Sequence, residues 1–297
     1  MTTTIVKVEG HDIKVTNHDK VLFPEDGITK GELVEYYKNI AGRMLPEIRG
    51  RPLTLQRFPD GIDKEGFFQK SASDYYPEWM ETAALEFKKG IQHQTVCNNE
   101  AAIVYLASQA VITIHEMLSR MDKLLYPDRM VFDLDPGEND FSLVVHAARH
   151  VKKTVEDLGF KAFVMTTGSK GLHVIMPLDR SADFDAVHEY ARHLSIRMAK
   201  DDPERLSAEI VKEKRGNRLF LDYMRDTFGQ THVAPYSVRP KKGAPVAMPV
   251  TWEELDDIEP QSYNIRNVFE RLEKKGDPWK DMDKYARGIN PSSLQRI

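Results

Sequence analysis

Six elements of alternating period between residues 130 and 222 limit the fold of this chain more than any other feature. Met130–Asp135 reads as a strand, Phe141–Leu158 as a helix, Lys161–Thr167 and Leu172–Leu178 as two strands, Phe184–Lys200 as a helix and Arg218–Asp222 as a strand. That βαββαβ order is the pattern of a ferredoxin-like split βαβ, a four-stranded sheet with both helices on one face and the other face open to a ligand. RNA-recognition modules and polymerase palms share the layout, so the residues on the open face decide the function.

Upstream, Lys30–Leu45 has apolar residues at helical spacing, Pro52–Arg57 and Gly66–Lys70 read as short strands, an Asn-Asn-Glu start at Asn98 caps a helix to about Ala110, and Val111–Met117 reads as a strand. No repeat, low-complexity tract or Gly/Ser linker interrupts the chain, which makes a single domain over 1–297 the expectation. Within that α/β (α+β) domain we expect an N-terminal α/β module to about residue 125, an RRM-like palm over about 126–240, and a C-terminal helical segment over 241–297 packing on the core.

Asp133 and Asp135 stand two apart near the end of the first palm strand, which puts both side chains on one face about 7 Å apart at the backbone. In the split βαβ topology Asp222, ending the last strand, lies beside the first and supplies a third acid. Carboxylates grouped in this way suit a pair of divalent ions roughly 4 Å apart, the usual device for in-line phosphoryl transfer. All-oxygen donors select magnesium or manganese. Taken alone, Asp-Leu-Asp-Pro is also an ordinary strand end followed by a turn.

Thr166 to His173 joins two strands through two glycines, hydroxyls and a lysine, the composition of an anion cradle in which Thr167, Ser169, Lys170 and His173 face a triphosphate. A plain glycine-rich hairpin has the same composition, and the segment lacks the Gly-Lys-Ser/Thr of phosphate loops that precede a helix. Arg225 and Arg239 flank Asp222 and Ala234–Val238 as candidate triphosphate clamps, with surface ion pairing as the alternative for each.

Composition excludes little. The net charge of -4 argues against nonspecific coating of nucleic acid, although basic residues cluster at Lys212–Arg218 and Arg239–Lys242. Cys97 is the single cysteine, which removes intrachain disulfides and cysteine-rich zinc sites. No apolar run approaches the roughly 20 residues of a membrane span, and the first residues lack a signal-peptide pattern, so the expected location is the cytoplasm, at the nucleoid.

Several separated motifs together resemble the polymerase domains of bacterial ligase D, in the archaeo-eukaryotic primase superfamily. They are Val15–Pro24 with Gly27–Lys30, Arg51–Arg57, Phe67–Lys70, Val131–Pro136, Gly168–His173, Leu221–Tyr223 and Ala234–Arg239. The resemblance implies template-directed filling of gaps and extension of ends in nonhomologous end joining, favouring ribonucleotides. It makes Asp133, Asp135 and Asp222 the catalytic metal ligands for two Mn2+ or Mg2+ ions. It puts Lys20 and Lys30 on the 5′-phosphate of a gap, Asn17 and Arg57 on DNA, Phe67 and Phe68 in stacking on a base, and Gln56, His115, Thr167, Ser169, Lys170, His173, Arg225 and Arg239 around the incoming nucleotide. It also implies NTP or dNTP substrates, gapped or broken DNA, a Ku-like end-binding protein and a DNA ligase as partners, no membrane, and a monomer in solution.

Three positions depart from the family pattern: Thr167 where serine is usual, Gln56 where lysine is common, and Glu116-Met117 where proline or threonine precedes tryptophan. Two other functions suit the same sheet. A noncatalytic single-strand or DNA-end binder would gain nothing from three converging acids, and another palm nucleotidyltransferase or cyclase would have no use for a 5′-phosphate pocket.

Overall fold

The computed structural model describes residues 2–87, 90–137 and 140–290. The chain divides into two units, the first made of 1–122, 231–247 and 263–270, the second of 123–230, 248–262 and 271–297. No helix among the described residues is long and apolar enough to cross a membrane.

In the first unit, α1 (Lys30–Ile48) starts at a capping box. The Thr29 hydroxyl accepts the Glu32 amide at 3.2 Å while the Glu32 carboxylate accepts the Thr29 amide at 2.8 Å, so two orphan donors are satisfied at once. Leu33, Val34, Tyr37, Ile40, Ala41 and Met44 form the buried stripe that a 3.6-residue period requires. α2 (Glu100–Ser108), capped by Asn99, packs beside it. The sheet runs Thr231–Val233, then β3 (Val111–Met117), β1 (Leu53–Arg57) and β2 (Phe67–Gln69), antiparallel throughout. Tyr37 fastens α1 to this sheet. Its hydroxyl donates to the Ile112 carbonyl at 2.5 Å and accepts the Val238 amide at 3.1 Å, and burial pushes the phenol up to about 12. Glu116 lies inside β3, buried at 3.2 Å from the fully buried Arg51. A carboxylate there is tolerable because its partner is buried with it; removing either one would strand a charge.

The second unit follows the expected order for five elements. β4 (Arg129–Leu134), α3 (Phe141–Asp157), β5 (Phe163–Thr166), β6 (Leu172–Pro177) and α4 (Phe184–Asp201) match the predicted segments to within one or two residues at each end. Asp140 and Asp183 cap the two helices, each accepting an amide at 2.9 Å. β6 lies between β4 and β5, antiparallel to both, which is the split βαβ arrangement.

The last strand is where expectation and structure part. Instead of an Arg218–Asp222 strand along β4, Leu219–Phe220 pairs in parallel with Leu206–Ser207, and only Asp222 reaches β4, as an isolated antiparallel bridge to Asp133. A fourth ladder strand comes from later in the chain: β7 (Met248–Val250) borders β5. Pro249 fits that place, since a proline inside a strand is tolerated at an edge. The palm range of about 126–240 and the observed second unit therefore differ at 231–240, which belongs to the first unit, while 248–262 and 271–297 join the second. The C-terminal segment expected to be helical over 241–297 holds one α-helix among its described residues, Val268–Lys275; 291–297 lie outside the described residues.

Candidate active site

The second unit gathers its acids through β4. Asp133 faces His173 across the β4–β6 ladder, with His173 Nε2 3.4 Å from Asp133 Oδ1. The Asp133 amide donates to the Asp222 carbonyl at 3.3 Å, so backbone pairing itself brings the two acids side by side. Arg225 spans them, its Nε 3.2 Å from Asp133 Oδ2 and 3.6 Å from Asp222 Oδ2. The Asp222 carboxyl is held above the usual carboxylate range, chiefly by burial and further by the charge of Asp133, against a hydrogen bond from the Met224 amide at 2.8 Å. Two carboxylates that raise one another's cost of ionisation and present hard oxygens are the donor set a divalent cation satisfies, and Arg225 shows that a positive group reaches both.

Asp135 follows the end of β4 and is exposed. It lies against Gly171, where a Cβ would stand 2.1 Å from the Leu134 carbonyl oxygen and 2.6 Å from Asp135 Oδ1. Gly171 is therefore required for space. Beside Asp135, residues including Lys212, Arg215 and Arg218 line a recess of about 150 Å3. Arg215 lies 3.8 Å from the Phe220 ring centroid and donates from Nε to the Glu209 carbonyl at 2.7 Å, which holds this basic segment in one shape.

The Gly168–His173 loop closes on itself. The Thr167 hydroxyl accepts the Ser169 amide at 3.3 Å and the Gly171 amide at 3.2 Å, and its amide donates to the Gly171 carbonyl at 3.0 Å. Gly168 supplies the left-handed turn at φ +64°. Thr167 is buried, so its hydroxyl shapes the loop, while Lys170 is exposed at the tip. The serine-to-threonine departure thus keeps the function that the loop itself uses.

Sequence gave no hint of Asp226. This carboxyl is fully buried; its Oδ1 accepts the Val131 amide at 3.0 Å and its Oδ2 has no hydrogen-bond partner. Burial, and then the charges of Asp222 and Asp133, hold it well above the usual carboxylate range. A raised folded-state value means that folding favours the protonated acid: the stability from this residue is fully present below the ordinary carboxylate range and is lost as pH rises through the folded value. Asp226→Asn removes that cost. In chelator at pH 8 the variant is expected to melt several degrees above the parent, on the order of 1–3 kcal/mol, with the gap narrowing at pH 5 in calorimetric scans.

The first unit holds the remaining candidates. Lys30 is 7% exposed, and burial, followed by the charges of Lys20 and Arg57, makes its proton easier to lose than usual. Asn17, Lys20, Lys30, Arg57, Asp60 and Gln109 line a recess of about 230 Å3. Lys20 donates to Asp60 at 2.6 Å, an acid that sequence reading passed over. Cations pressed together with one carboxylate among them make a site in which a doubly charged anion relieves repulsion. Arg57 is also held by the Gln109 carbonyl at 3.0 Å and the Tyr75 hydroxyl at 2.7 Å, and lies 5.5 Å from the Phe67 ring. Asn17 takes a left-handed turn at φ +51°.

Phe67 and Phe68, both expected to stack on a base, are 46% and 61% exposed on β2, a three-residue strand at the sheet edge, so neither ring is packed in the core. Phe68 lies 5.7 Å from the His115 ring and opposite Gln56 in the ladder, so those three candidates share one patch. Arg239 is half-buried, with its amide donating to the Pro245 carbonyl at 2.7 Å.

Residues 29–279 match the family model described as LigD, primase-polymerase domain. The chain is 34% identical over 277 residues to the multifunctional non-homologous end joining protein LigD of Mycolicibacterium smegmatis, covering 92% of this chain and 36% of that protein. The protein of the same name from Pseudomonas aeruginosa is 32% identical over 289 residues, covering 96% and 34%. The bifunctional non-homologous end joining protein LigD of Bacillus subtilis is 28% identical over 272 residues, covering 91% and 44%. The chain thus spans about a third to under half the length of these relatives. Among solved structures, the polymerase domain from Mycobacterium tuberculosis ligase D in complex with DNA superposes with a TM-score of 0.86 at 32% identity, covering 92% of this chain and 98% of that one.

Proposed function

Since the chain belongs to the LigD primase-polymerase domain family, we propose that it is a DNA-directed nucleotidyltransferase that fills gaps and extends ends in bacterial nonhomologous end joining. The observation that carries this reading is the bridge between Asp133 and Asp222, with Arg225 spanning both carboxylates. The reaction joins a primer 3′-oxygen to the α-phosphorus of a nucleoside triphosphate and releases pyrophosphate. On this reading residues 1–297 act as one domain.

Asp133, Asp135 and Asp222 would hold manganese or magnesium, which when bound acidifies the attacking hydroxyl and neutralises the charge developing on phosphorus. Arg225 and Lys170 offset triphosphate charge, and His173 fixes the orientation of Asp133. Phe67 and Phe68 give a stacking surface worth about 1–3 kcal/mol per base that accepts any sequence, and His115 and Gln56 border it. Lys20, Lys30, Asn17 and Arg57 receive the 5′-phosphate on the far side of a gap. A Ku-like end-binding protein and a DNA ligase complete the pathway, and ribonucleotides are preferred over deoxyribonucleotides.

Primer extension on a gapped duplex tests the reading, with manganese and each ribonucleotide set against its deoxy counterpart. Templated addition is expected, and a chain that binds the duplex without extending it in either metal would sink the assignment. Lys20→Ala and Lys30→Ala are expected to weaken binding to 5′-phosphorylated gaps by tenfold or more, about 1.4 kcal/mol, while leaving unphosphorylated gaps unchanged. Equal loss on both substrates in a fluorescence titration removes the phosphate pocket.

A further inference from the structure

The helical layer of the second unit holds a cluster that the polymerase chemistry does not use. His146 and His150 are four residues apart on α3, which puts their imidazoles on one helix face with ring centroids 6.4 Å apart, beside a stripe in which Val144, Ala147, Ala148 and Val151 are buried. Asp202 is the residue that ends α4, its amide donating to the Met198 carbonyl at 3.1 Å, and its carboxylate is directed at α3. His146 Nε2 lies 2.7 Å from Asp202 Oδ2, and one ligand atom from each of the three residues falls within 4.8 Å of the other two.

We propose that His146, His150 and Asp202 form a transition-metal site, with zinc the best-matched ion, that clasps α3 to the end of α4. Two imidazoles and one carboxylate are the donors that zinc accepts, with a fourth position left for water; magnesium and manganese prefer the all-oxygen set of Asp133, Asp135 and Asp222. Three donors around a tetrahedral zinc stand about 3.3 Å apart, so the pair now at 2.7 Å opens by roughly half an ångström as the ion takes the place of the shared proton. His146 is about a third exposed and gives the ion a way in. Arg205 Nε, 2.9 Å from Asp202 Oδ2 and 3.1 Å from Oδ1, holds both carboxylate oxygens and fixes the orientation of the group, as outer partners of metal ligands do. Both histidines sit at the solvent edge of α3, so replacing them with glutamine leaves the helix and its buried stripe in place.

The test is calorimetric titration of the full chain with zinc chloride in excess magnesium, repeated on the His146→Gln/His150→Gln double variant and on Asp222→Asn. The parent and Asp222→Asn are expected to take up one zinc with micromolar or tighter affinity, the double variant to bind at least tenfold more weakly, and zinc to raise the melting temperature of the first two only. Side-chain 15N chemical shifts of His146 and His150 report coordination directly. Zinc uptake by the double variant equal to the parent's, loss of uptake in Asp222→Asn, or no uptake by the parent at 100 μM zinc would each overturn the site. None of these readouts depends on polymerase activity, so failure here leaves the polymerase reading untouched.

Discussion

Asp133→Ala is expected to reduce the rate of nucleotide addition by about a thousandfold or more, on the order of 4 kcal/mol of barrier, while the chain stays folded. Asp133 is at once a proposed cation ligand, the carboxylate facing His173 and one of two anions spanned by Arg225. Its backbone makes the bridge to Asp222, and an alanine keeps that bridge because only main-chain atoms form it. The side chain is therefore separable from the architecture. Single-turnover extension with manganese on a gapped duplex reads the effect, with far-UV circular dichroism as the check on folding. Addition at the parental rate would falsify the catalytic reading.

Gly171→Ala has the next largest expected effect and reaches the same acids by a different route. The added methyl would press on the Leu134 carbonyl at 2.1 Å and on Asp135 Oδ1 at 2.6 Å, and the first of these is backbone inside a paired strand that cannot swing aside. Either the start of β6 moves off β4 or the variant is destabilised by about 1–3 kcal/mol or more, the range for overpacking a well-filled site. Where it still folds, Asp135 is displaced, and a 1 Å error in a reacting geometry costs on the order of a hundredfold in rate. Urea denaturation and extension kinetics measured together separate the two outcomes. A variant with parental stability and parental turnover would show that the Leu134–Gly171 approach has no bearing on the acids.

These two residues also mark how far the sequence alone reaches. Asp133, Asp135 and Asp222 stood out because strand periodicity and topology together place a strand end beside another, and the structure brings Asp222 to Asp133. The five elements from β4 to α4 were legible because their periods are clean, and the structure adds the caps at Asp140 and Asp183 that start the two helices. What escaped was set by tertiary environment. The stretch ending at Asp222 has strand-like residues, but nothing local says that Leu219–Phe220 will pair with Leu206–Ser207 instead of β4. Met248–Val250 was hidden by its proline. Asp226 reads like any turn acid until its burial is seen, and Gly171 like any loop glycine until the Leu134 carbonyl is seen above it. The closeness of Lys20, Lys30 and Arg57 depends on three separate stretches of chain. Glu116 looked like a weakened family position, whereas its pairing with Arg51 makes it an internal strut.

The chain leaves the first unit at residue 122 and re-enters it at 231, where Thr231–Val233 borders β3. A fragment cut at that first exit would expose the outer margin of β3, with a row of unsatisfied amides and carbonyls open to pairing with neighbouring molecules. Engineered dissection of this chain therefore has to respect the weave of the polypeptide. Grafts and insertions belong at turns within a unit, and neither half is a module that can be transplanted as one uninterrupted stretch of gene.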